Sequence, residues 1–451
     1  MRQEVSLQGK CRHLHFDALV QLARQRFGKI ADQRCEPDFS LPDALMAGLA
    51  LFSLKDPSML AFQRRPLDQN LRCVFGLQGI PSDSQLRAIL DGVDPNQIRP
   101  FFNDVLRKLH QAKVLDKWRF QGHFLVALDG VEYFCSKKVH CAHCMTRHHS
   151  DGSVSYYHQM LGAAIVHPDF SEVIPLAPEP IQRQDGQTKN DCERNAARRW
   201  AKRFREDHPN LPVIVIEDAL SSNAPHIHDL RDGHFHFLLG VKDTDHAHLF
   251  EQICQRQETG EYELIEDVEA RTGTSRGYLF MEDLSLNESN QDVKVNFLQC
   301  LECHRDGKVS PWSWVTDLKL TASNVRELTR GGRARWRIEN ETFNTLKNQG
   351  YHFEHNFGHG SKNLSVVMAL LMLAAFLIDQ VQQKCNPLFQ AARKKKGPKC
   401  ALWEEVRHLF ATFEVSSMRE VYEAIAFGFQ RPKLKVLIEQ SQGKAGQDDT
   451  S

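Results

Sequence analysis

Residues 124–130 read Phe-Leu-Val-Ala-Leu-Asp-Gly, an unbroken apolar run that ends in a carboxylate and a glycine. A second apolar run, Val-Ile-Val-Ile at 213–216, is followed by Glu217 and Asp218. Short continuous apolar runs are typical of strands that are buried on both faces of a sheet. Helical patterns surround these runs, so the sequence predicts an α/β fold with a mixed sheet flanked by helices.

Each of these two runs is followed directly by an acidic residue. In an open α/β sheet, functional sites form at the carboxyl ends of the strands. We therefore expect Asp129 and Asp218 to lie close together, although they are far apart in the sequence.

A third acid is predicted on a late helix, within Arg-Ala-Arg-Trp-Arg-Ile-Glu at 333–339. On an ideal α-helix Glu339 lies in an apolar stripe, formed by Trp336, Phe343 and Leu346. A carboxylate in such a stripe is costly unless it is paired or bound to a metal ion. Glu341 falls on the opposite, solvent-facing side, so Glu339 is preferred and Glu341 is the alternative.

Three converging carboxylates favour a divalent metal site. Mg²⁺ and Mn²⁺ prefer carboxylate and water oxygens, and they bind substrate phosphates at the same time. Two such ions, about 3.5–4 Å apart, would serve phosphoryl transfer. The alternative for each acid taken singly is a helix cap or a salt bridge.

The chain resembles insertion-sequence transposases of the DDE type, which have a ribonuclease-H-like catalytic domain. The resemblance spans roughly residues 120–380 and includes Leu-Asp-Gly at 128–130, Val-Ile-Val-Ile-Glu-Asp-Ala-Leu-Ser-Ser at 213–222 and the segment 350–360. Its most specific block follows the family spacing Tyr, two residues, Arg, three residues, Glu, six residues, Lys. Arg335 and Glu339 fit this spacing, Gly332 occupies the tyrosine position, and Lys347 lies one residue late.

The resemblance implies a DNA transposase that hydrolyses transposon ends in a metal-dependent step and joins the exposed 3′-OH to target DNA. Asp129, Asp218 and Glu339 would hold the ions. The implied DNA contacts are Arg335, Arg337, Lys347 and Trp314, although strand packing is the alternative for Trp314 and its neighbour Trp312. The implied partners are double-stranded DNA, as terminal repeats and as target, and a second copy of the chain. The alternatives are a transposase-derived DNA-binding protein without cleavage activity and another ribonuclease-H-like nuclease.

Changes in pattern along the chain predict its division into segments. Residues 1–117 are predicted to form a helical N-terminal region that binds DNA ends, and 118–244 the first part of the catalytic domain. A β-rich insertion is predicted at 245–324, and the helical completion of the catalytic domain at 325–385. Residues 386–451 are predicted to be basic and helical, with a disordered tail from residue 440.

A cluster of cysteines and histidines follows the first strand. Cys141 and Cys144 form a CxxC pair and His148 lies shortly after it, a spacing that suits a structural Zn²⁺ site. The alternative is a loop with reduced thiols. The histidine-rich segment 352–359 is open to three interpretations: support of the catalytic site, contact with DNA, or a structural turn.

Composition restricts the cellular setting more than the chemistry. The 57 basic and 57 acidic residues balance, which neither requires nor excludes a nucleic-acid partner. The N-terminus lacks the apolar core of a secretory signal, so we interpret the 12 cysteines as reduced thiols of a cytoplasmic, bacterial-type, nucleoid-associated protein. The apolar run 364–378 is predicted to be a buried core helix rather than a membrane span.

Overall fold

The computed structural model describes residues 11–64, 68–183, 190–269, 273–428 and 435–436. The tail predicted to be disordered lies outside these residues. Within them the protein has an α/β architecture, in which helices flank a mixed open sheet.

The first described residues, up to Trp118, form helices, as their apolar spacing predicts. Serine side chains cap the start of three of them: Ser40 accepts a hydrogen bond from the N–H of Asp43, Ser58 accepts one from the N–H of Ala61, and Ser82 forms a capping box with Gln85. Beside three short 3₁₀ turns, the helices are Phe16–Phe27, Leu41–Ser53, Met59–Gln63, Asp68–Phe75, Asp83–Asp91 and Arg99–Gln111.

Twelve strands of the described chain belong to one sheet. Nine of them lie side by side in the order β3-β4-β2-β7-β8-β12-β11-β10-β9, while β1 pairs with β2, and β5 and β6 pair with β4. The strands are β1 (Arg119–Phe120), β2 (His123–Ser136), β3 (Met145–His148), β4 (Val154–Val166), β5 (Ile174–Pro175), β6 (Glu179–Ile181), β7 (Val213–Glu217), β8 (His236–Gly240), β9 (Glu263–Glu269), β10 (Thr274–Asn287), β11 (Asn290–Cys303) and β12 (Val309–Thr316).

The register of the two central strands positions the acidic residues. β2 and β7 are parallel, and their pairing runs up to Ala127 opposite Ile216. Asp129 and Asp218 each lie two residues beyond that last pair. The two acids are therefore level with each other at the same end of adjacent strands.

One prediction about β2 is wrong. The sequence suggests that the strand ends at Asp129 and Gly130, but β2 continues to Ser136. Beyond Asp129 it stays paired with the antiparallel β4, in which Gly162 lies opposite Asp129. Asp129 thus lies in the part of β2 that is no longer paired with β7.

The strands predicted to form an inserted unit extend the same sheet. β12 pairs with β8 through Trp314, Val315 and Thr316, and β11, β10 and β9 follow outward in order. This segment also begins with a helix, Ala247–Thr259. The predicted β-rich character is present, but the strands share the main sheet instead of forming a sheet of their own.

Helices cover the sheet and complete the core. The 22-residue helix Leu364–Cys385 is apolar and long enough to cross a membrane, yet 94% of its most apolar window is buried inside the protein. It is therefore a core helix, as predicted. The other helices of the second half are Glu193–Asp207, Ala224–Asp232, Val325–Arg333, Asn344–Asn348, Pro387–Lys396, Lys399–Thr412 and Met418–Phe427; a π-helix occupies Ile338–Phe343, and short strands β13 and β14 lie at Phe413–Glu414 and Lys435–Val436.

Candidate active site

Asp129 is partly buried. Its side chain is 24% exposed, and its Oδ2 accepts a hydrogen bond of 3.0 Å from the guanidinium of Arg335. The sequence suggests Glu339 or a phosphate as the partner of Arg335. In the structure Arg335 pairs with Asp129.

Asp218 follows β7 and begins the next turn. Its Oδ1 accepts the N–H of Leu220 at 3.0 Å, so one carboxylate oxygen serves as a cap. The preceding Glu217 is buried and bonds to His226 Nε2 at 2.7 Å. This difference separates Glu217, which is satisfied inside the protein, from Asp218, which lies at the sheet edge.

Glu339 lies on the π-helix, not on a continuous α-helix. The α-helix ends at Arg333, two turn residues and two further helical residues follow, and the chain is π-helical from Ile338 to Phe343. Both Glu339 and Trp336 are exposed, so the prediction of an apolar stripe around Glu339 is wrong. The prediction assumed an α-helical turn of 100° per residue, and a π-helix turns by a different angle.

The charges of the other two acids act on Asp129. Burial raises the pKa of Asp129; Arg335 opposes this shift, and the negative charges of Asp218 and Glu339 reinforce it. Both acids are therefore within range of a charge interaction with Asp129. Glu341 acts on Arg337 and Lys399. These charge interactions favour Glu339 over Glu341, although the helical argument for Glu339 does not hold.

A close contact between β4 and the π-helix fixes the position of Glu339. The ring of Phe343 packs directly on Gly162, where an added Cβ would lie 2.7 Å from the ring. Gly162 is the residue opposite Asp129. The absence of a side chain at Gly162 thus lets the π-helix approach the strand pair that carries Asp129.

Glu193 is a fourth acid at this site, and no sequence pattern identified it. It begins the helix Glu193–Asp207, and its carboxylate lies directly against Gly130, in the space that a Cβ at that position would occupy. The residue is exposed overall, but partial desolvation of the carboxyl raises its pKa, and the charges of Asp129 and Asp218 add to the shift. In the sequence, Glu193 is recognisable only as an acidic residue near the start of a polar helix, a position typical of helix capping.

The residues predicted to contact DNA have separate locations. Arg335 lies at the acidic site, and Lys347 forms an ion pair of 2.8 Å with Glu354. Arg337 donates a hydrogen bond to the carbonyl of Pro168 and does not pair with the acids. Arg335 is thus the member of this set that is ion-paired with an acid of the cluster.

Trp314 is not accessible for stacking on a base, and this prediction is wrong. Its side chain is buried, with the residue 5% exposed, and the indole packs over Gly332 of the helix Val325–Arg333. Strand packing, the alternative considered for it, describes its environment. Trp312 is 41% exposed and lies under the guanidinium of Arg333.

The raised pKa of Asp129 predicts that its replacement by asparagine stabilises the protein more at neutral pH than at low pH. Because the folded-state pKa of Asp129 is raised, its contribution to stability is present at low pH and is lost as the pH rises through that pKa. Without metal ions, we expect Asp129→Asn to gain in Tm relative to the unmodified protein as the pH rises from 4 to 7. The asparagine can still accept the hydrogen bond from Arg335. Thermal unfolding across this range in chelator measures the difference.

Asp151→Asn serves as the opposite control. Hydrogen bonds from Ser153 lower the pKa of Asp151, which is exposed, so its small contribution appears as the pH rises. This variant should lose stability relative to the unmodified protein at neutral pH. A Tm difference for Asp129→Asn that is constant with pH would contradict the raised pKa.

The structure also contains a group of residues that could hold a metal ion. Cys141, Cys144, His158 and His359 present one ligand atom each, and these atoms all lie within 4.8 Å of one another. Two of the three predicted ligands belong to this group. The third, His148, is exposed at the end of β3 and is not part of it, so that prediction is wrong.

No protein-family model matches the chain, and no curated protein matches it. The function is therefore inferred from the residues of the site.

Proposed function

We propose that the protein is a DNA transposase of the DDE type, which cleaves transposon ends and transfers the exposed strand into target DNA. The observation that carries the proposal is the environment of Asp129. Burial raises the pKa of its carboxyl, and the charges of Asp218, after the adjacent strand, and Glu339, on a late helix, add to the shift. An acid with a perturbed pKa near the carboxyl ends of parallel strands is typical of functional sites.

The order of the acids along the chain supports a ribonuclease-H-like catalytic domain. In the family that the sequence resembles, the first acid lies on the first strand, the second follows the fourth strand, and the third lies on a late helix. Here Asp129 lies on β2, Asp218 follows β7 after the antiparallel strands β4–β6, and Glu339 follows the strands β9–β12. A β-rich segment before the third acid is also a feature of that family.

We propose Mg²⁺ or Mn²⁺ as the cofactor, with two ions as the expected number. Mutually repelling carboxylates beside Asp129 are the hard oxygen ligands that these ions prefer. When bound, two ions would activate the attacking oxygen and stabilise the leaving one. Arg335 donates a hydrogen bond to one oxygen of Asp129 and would contact a phosphate of the cleaved strand.

The chemistry proposed for the site balances in two steps. In the first, a water oxygen bonds to phosphorus at the transposon end, the bond to the 3′ oxygen breaks, and that oxygen leaves as a hydroxyl. In the second, this 3′-OH attacks a phosphodiester of the target and releases another 3′-OH. Both displacements need negative charge to be neutralised at the same place.

The proposal includes double-stranded DNA as partner, a homodimer on the DNA, and a cytoplasmic, nucleoid-associated location. Two of the N-terminal arginines are engaged inside the protein: Arg24 pairs with Asp43, and Arg26 with Asp104. A DNA-binding role for residues 1–117 would therefore depend on other basic side chains of that region.

Cleavage of the element's own ends tests the proposal. Purified protein is incubated with a labelled duplex that carries its terminal repeats, with Mg²⁺, Mn²⁺ or chelator. We expect cleavage at the repeat boundary with either ion and none in chelator. Binding to the ends without cleavage in any metal would support the DNA-binding alternative. Equal cleavage of an unrelated duplex or an RNA–DNA hybrid would support another nuclease of this fold.

A further inference from the structure

The four Cys and His ligand atoms come from three separate parts of the chain. Cys141 and Cys144 lie in the connection between β2 and β3, His158 on β4, and His359 in the segment that follows the helix Asn344–Asn348. The cysteines precede His359 by more than two hundred residues. The cluster therefore joins the antiparallel β2–β4 pair to the chain that leaves the helical part of the acidic site.

Four distances within the cluster match tetrahedral coordination, and all four ligand atoms lie within 4.8 Å of one another. The two Sγ atoms are 3.8 Å apart, and the Sγ–Nε2 distances are 3.4 Å for Cys141–His158, 3.4 Å for Cys144–His158 and 3.3 Å for Cys144–His359. With Zn–S of about 2.3 Å and Zn–N of about 2.0–2.1 Å, tetrahedral angles require about 3.8 Å between sulfurs and about 3.5 Å between sulfur and nitrogen.

A disulfide or a set of simple hydrogen bonds fits the cluster less well than a metal ion. A disulfide requires an S–S distance of about 2.05 Å, and the observed separation of the Cys141 and Cys144 sulfurs is much longer. Simple hydrogen bonding would give the Nε2 atoms of His158 and His359 only weak contacts with the thiols. A metal ion would give all four inward-facing atoms a strong interaction.

Three of the four proposed ligands are buried. Cys144 is 2% exposed, His158 1% and His359 6%. Four protein ligands fill the coordination sphere and leave no open position, which is the pattern of a structural site rather than a catalytic one.

We propose that Cys141, Cys144, His158 and His359 bind one structural Zn²⁺ ion, which fastens the segment after the Glu339-bearing helix to the β2–β4 pair. Aromatic contacts continue this attachment: Phe134 of β2 packs on His359 with ring centroids 4.3 Å apart, and Tyr133 stacks on Phe353 at 5.6 Å. Asp129 lies on the same strand as both aromatic residues. Zinc binding itself does not depend on the function proposed above; only its effect on Glu339 rests on it.

Metal content and cobalt spectroscopy test the site. Protein purified from zinc-supplemented medium is expected to contain one Zn²⁺ per chain, and its Co²⁺-substituted form should show the visible bands of tetrahedral coordination with thiolate charge transfer. Cys144→Ser and His359→Ala should each reduce retained zinc at least about tenfold, consistent with the loss of one ligand of four. His148→Ala and Cys135→Ser, which alter the nearby exposed His and Cys, should keep one zinc per chain.

Two measurements keep the test decisive if a variant folds poorly. His158→Cys retains four ligands of a type that zinc accepts, so it should bind one zinc and show a third thiolate in X-ray absorption. In unmodified protein, chelation should increase proteolytic cleavage within residues 349–363, and added Zn²⁺ should reverse it. Unmodified protein that takes up less than a tenth of an equivalent of Zn²⁺ would overturn the proposal. None of these readouts involves DNA, so they stand or fall separately from the transposase assignment.

Discussion

Asp129→Asn and Glu339→Gln are each expected to slow cleavage of the transposon ends by about 10³-fold, which corresponds to about 4 kcal/mol of transition-state stabilisation. Each substitution removes one negative oxygen ligand while it preserves the shape of the side chain. Asp129 is the acid that interacts with both others, so its loss should weaken metal binding most directly. Single-turnover cleavage rates as a function of Mg²⁺ and Mn²⁺ concentration measure the effect.

Glu341→Gln is the matched control for Glu339→Gln. It lies on the same π-helix, but its charge acts on Arg337 and Lys399, whereas the charge of Glu339 acts on Asp129. Cleavage by this variant should stay within about twofold of the unmodified rate, as expected for a substitution away from the reacting groups. If Glu341→Gln loses activity while Glu339→Gln keeps it, the third acid is Glu341. If all three variants cleave normally, the acidic site is not the catalytic one.

Asp379→Asn is expected to destabilise the protein by about 3–5 kcal/mol, the usual loss when one partner of a buried ion pair is removed. Asp379 accepts a short hydrogen bond from Lys55 and one of 2.5 Å from the hydroxyl of Tyr351. Lys55 is 1% exposed, and its ammonium lies 3.9 Å from the ring centre of Trp403. Burial lowers the pKa of Lys55 and raises that of Asp379, and their mutual attraction opposes both shifts.

This pair joins parts of the chain that are distant in sequence. Lys55 follows the helix Leu41–Ser53, and Asp379 lies on the helix Leu364–Cys385. Tyr351 follows the helix Asn344–Asn348. Removal of one charge leaves the other buried without compensation. Lys55→Met should therefore be as costly as Asp379→Asn, whereas Lys55→Met combined with Asp379→Leu should recover much of the loss.

Denaturant unfolding of the single and double variants measures this coupling. Arg419→Ala is the control, because Arg419 is largely exposed and its ion pair with Glu423 lies on a helix surface. Its loss should cost no more than about 0.5 kcal/mol. Single substitutions at the buried pair that cost less than about 1 kcal/mol, or a double variant as unstable as the sum of the singles, would contradict the role assigned to the pair.

The sequence predicted part of the acidic site correctly. The apolar runs 124–128 and 213–216 predicted two buried strands, and each acid at 129 and 218 was correctly placed beside the other because parallel strands end at one edge. Glu339 was selected by a helical argument that the π-helix invalidates. Its proximity to Asp129 results from the packing of Phe343 on Gly162, which no local pattern encodes.

The remaining parts of the site depend on contacts between distant segments. Glu193 reaches the cluster because its helix packs beside Gly130, and Trp314 is buried because Gly332 of a later helix lies over its ring. In the Cys/His cluster, local spacing identified Cys141 and Cys144 but pointed to His148 as the third ligand. His158 and His359 approach the cysteines only when β4 and the segment 349–363 pack against β2.

The sequence by itself determined the buried strands at 124–128 and 213–216, that the helix Leu364–Cys385 is part of the core, and which two acids follow these apolar runs, because hydrophobic periodicity is a local property. The tertiary structure decided which face of the 325–349 segment meets the sheet, which histidines join the cysteines, and that β9–β12 extend the main sheet. These outcomes depend on side chains that are far apart in the chain and meet only when the core is packed.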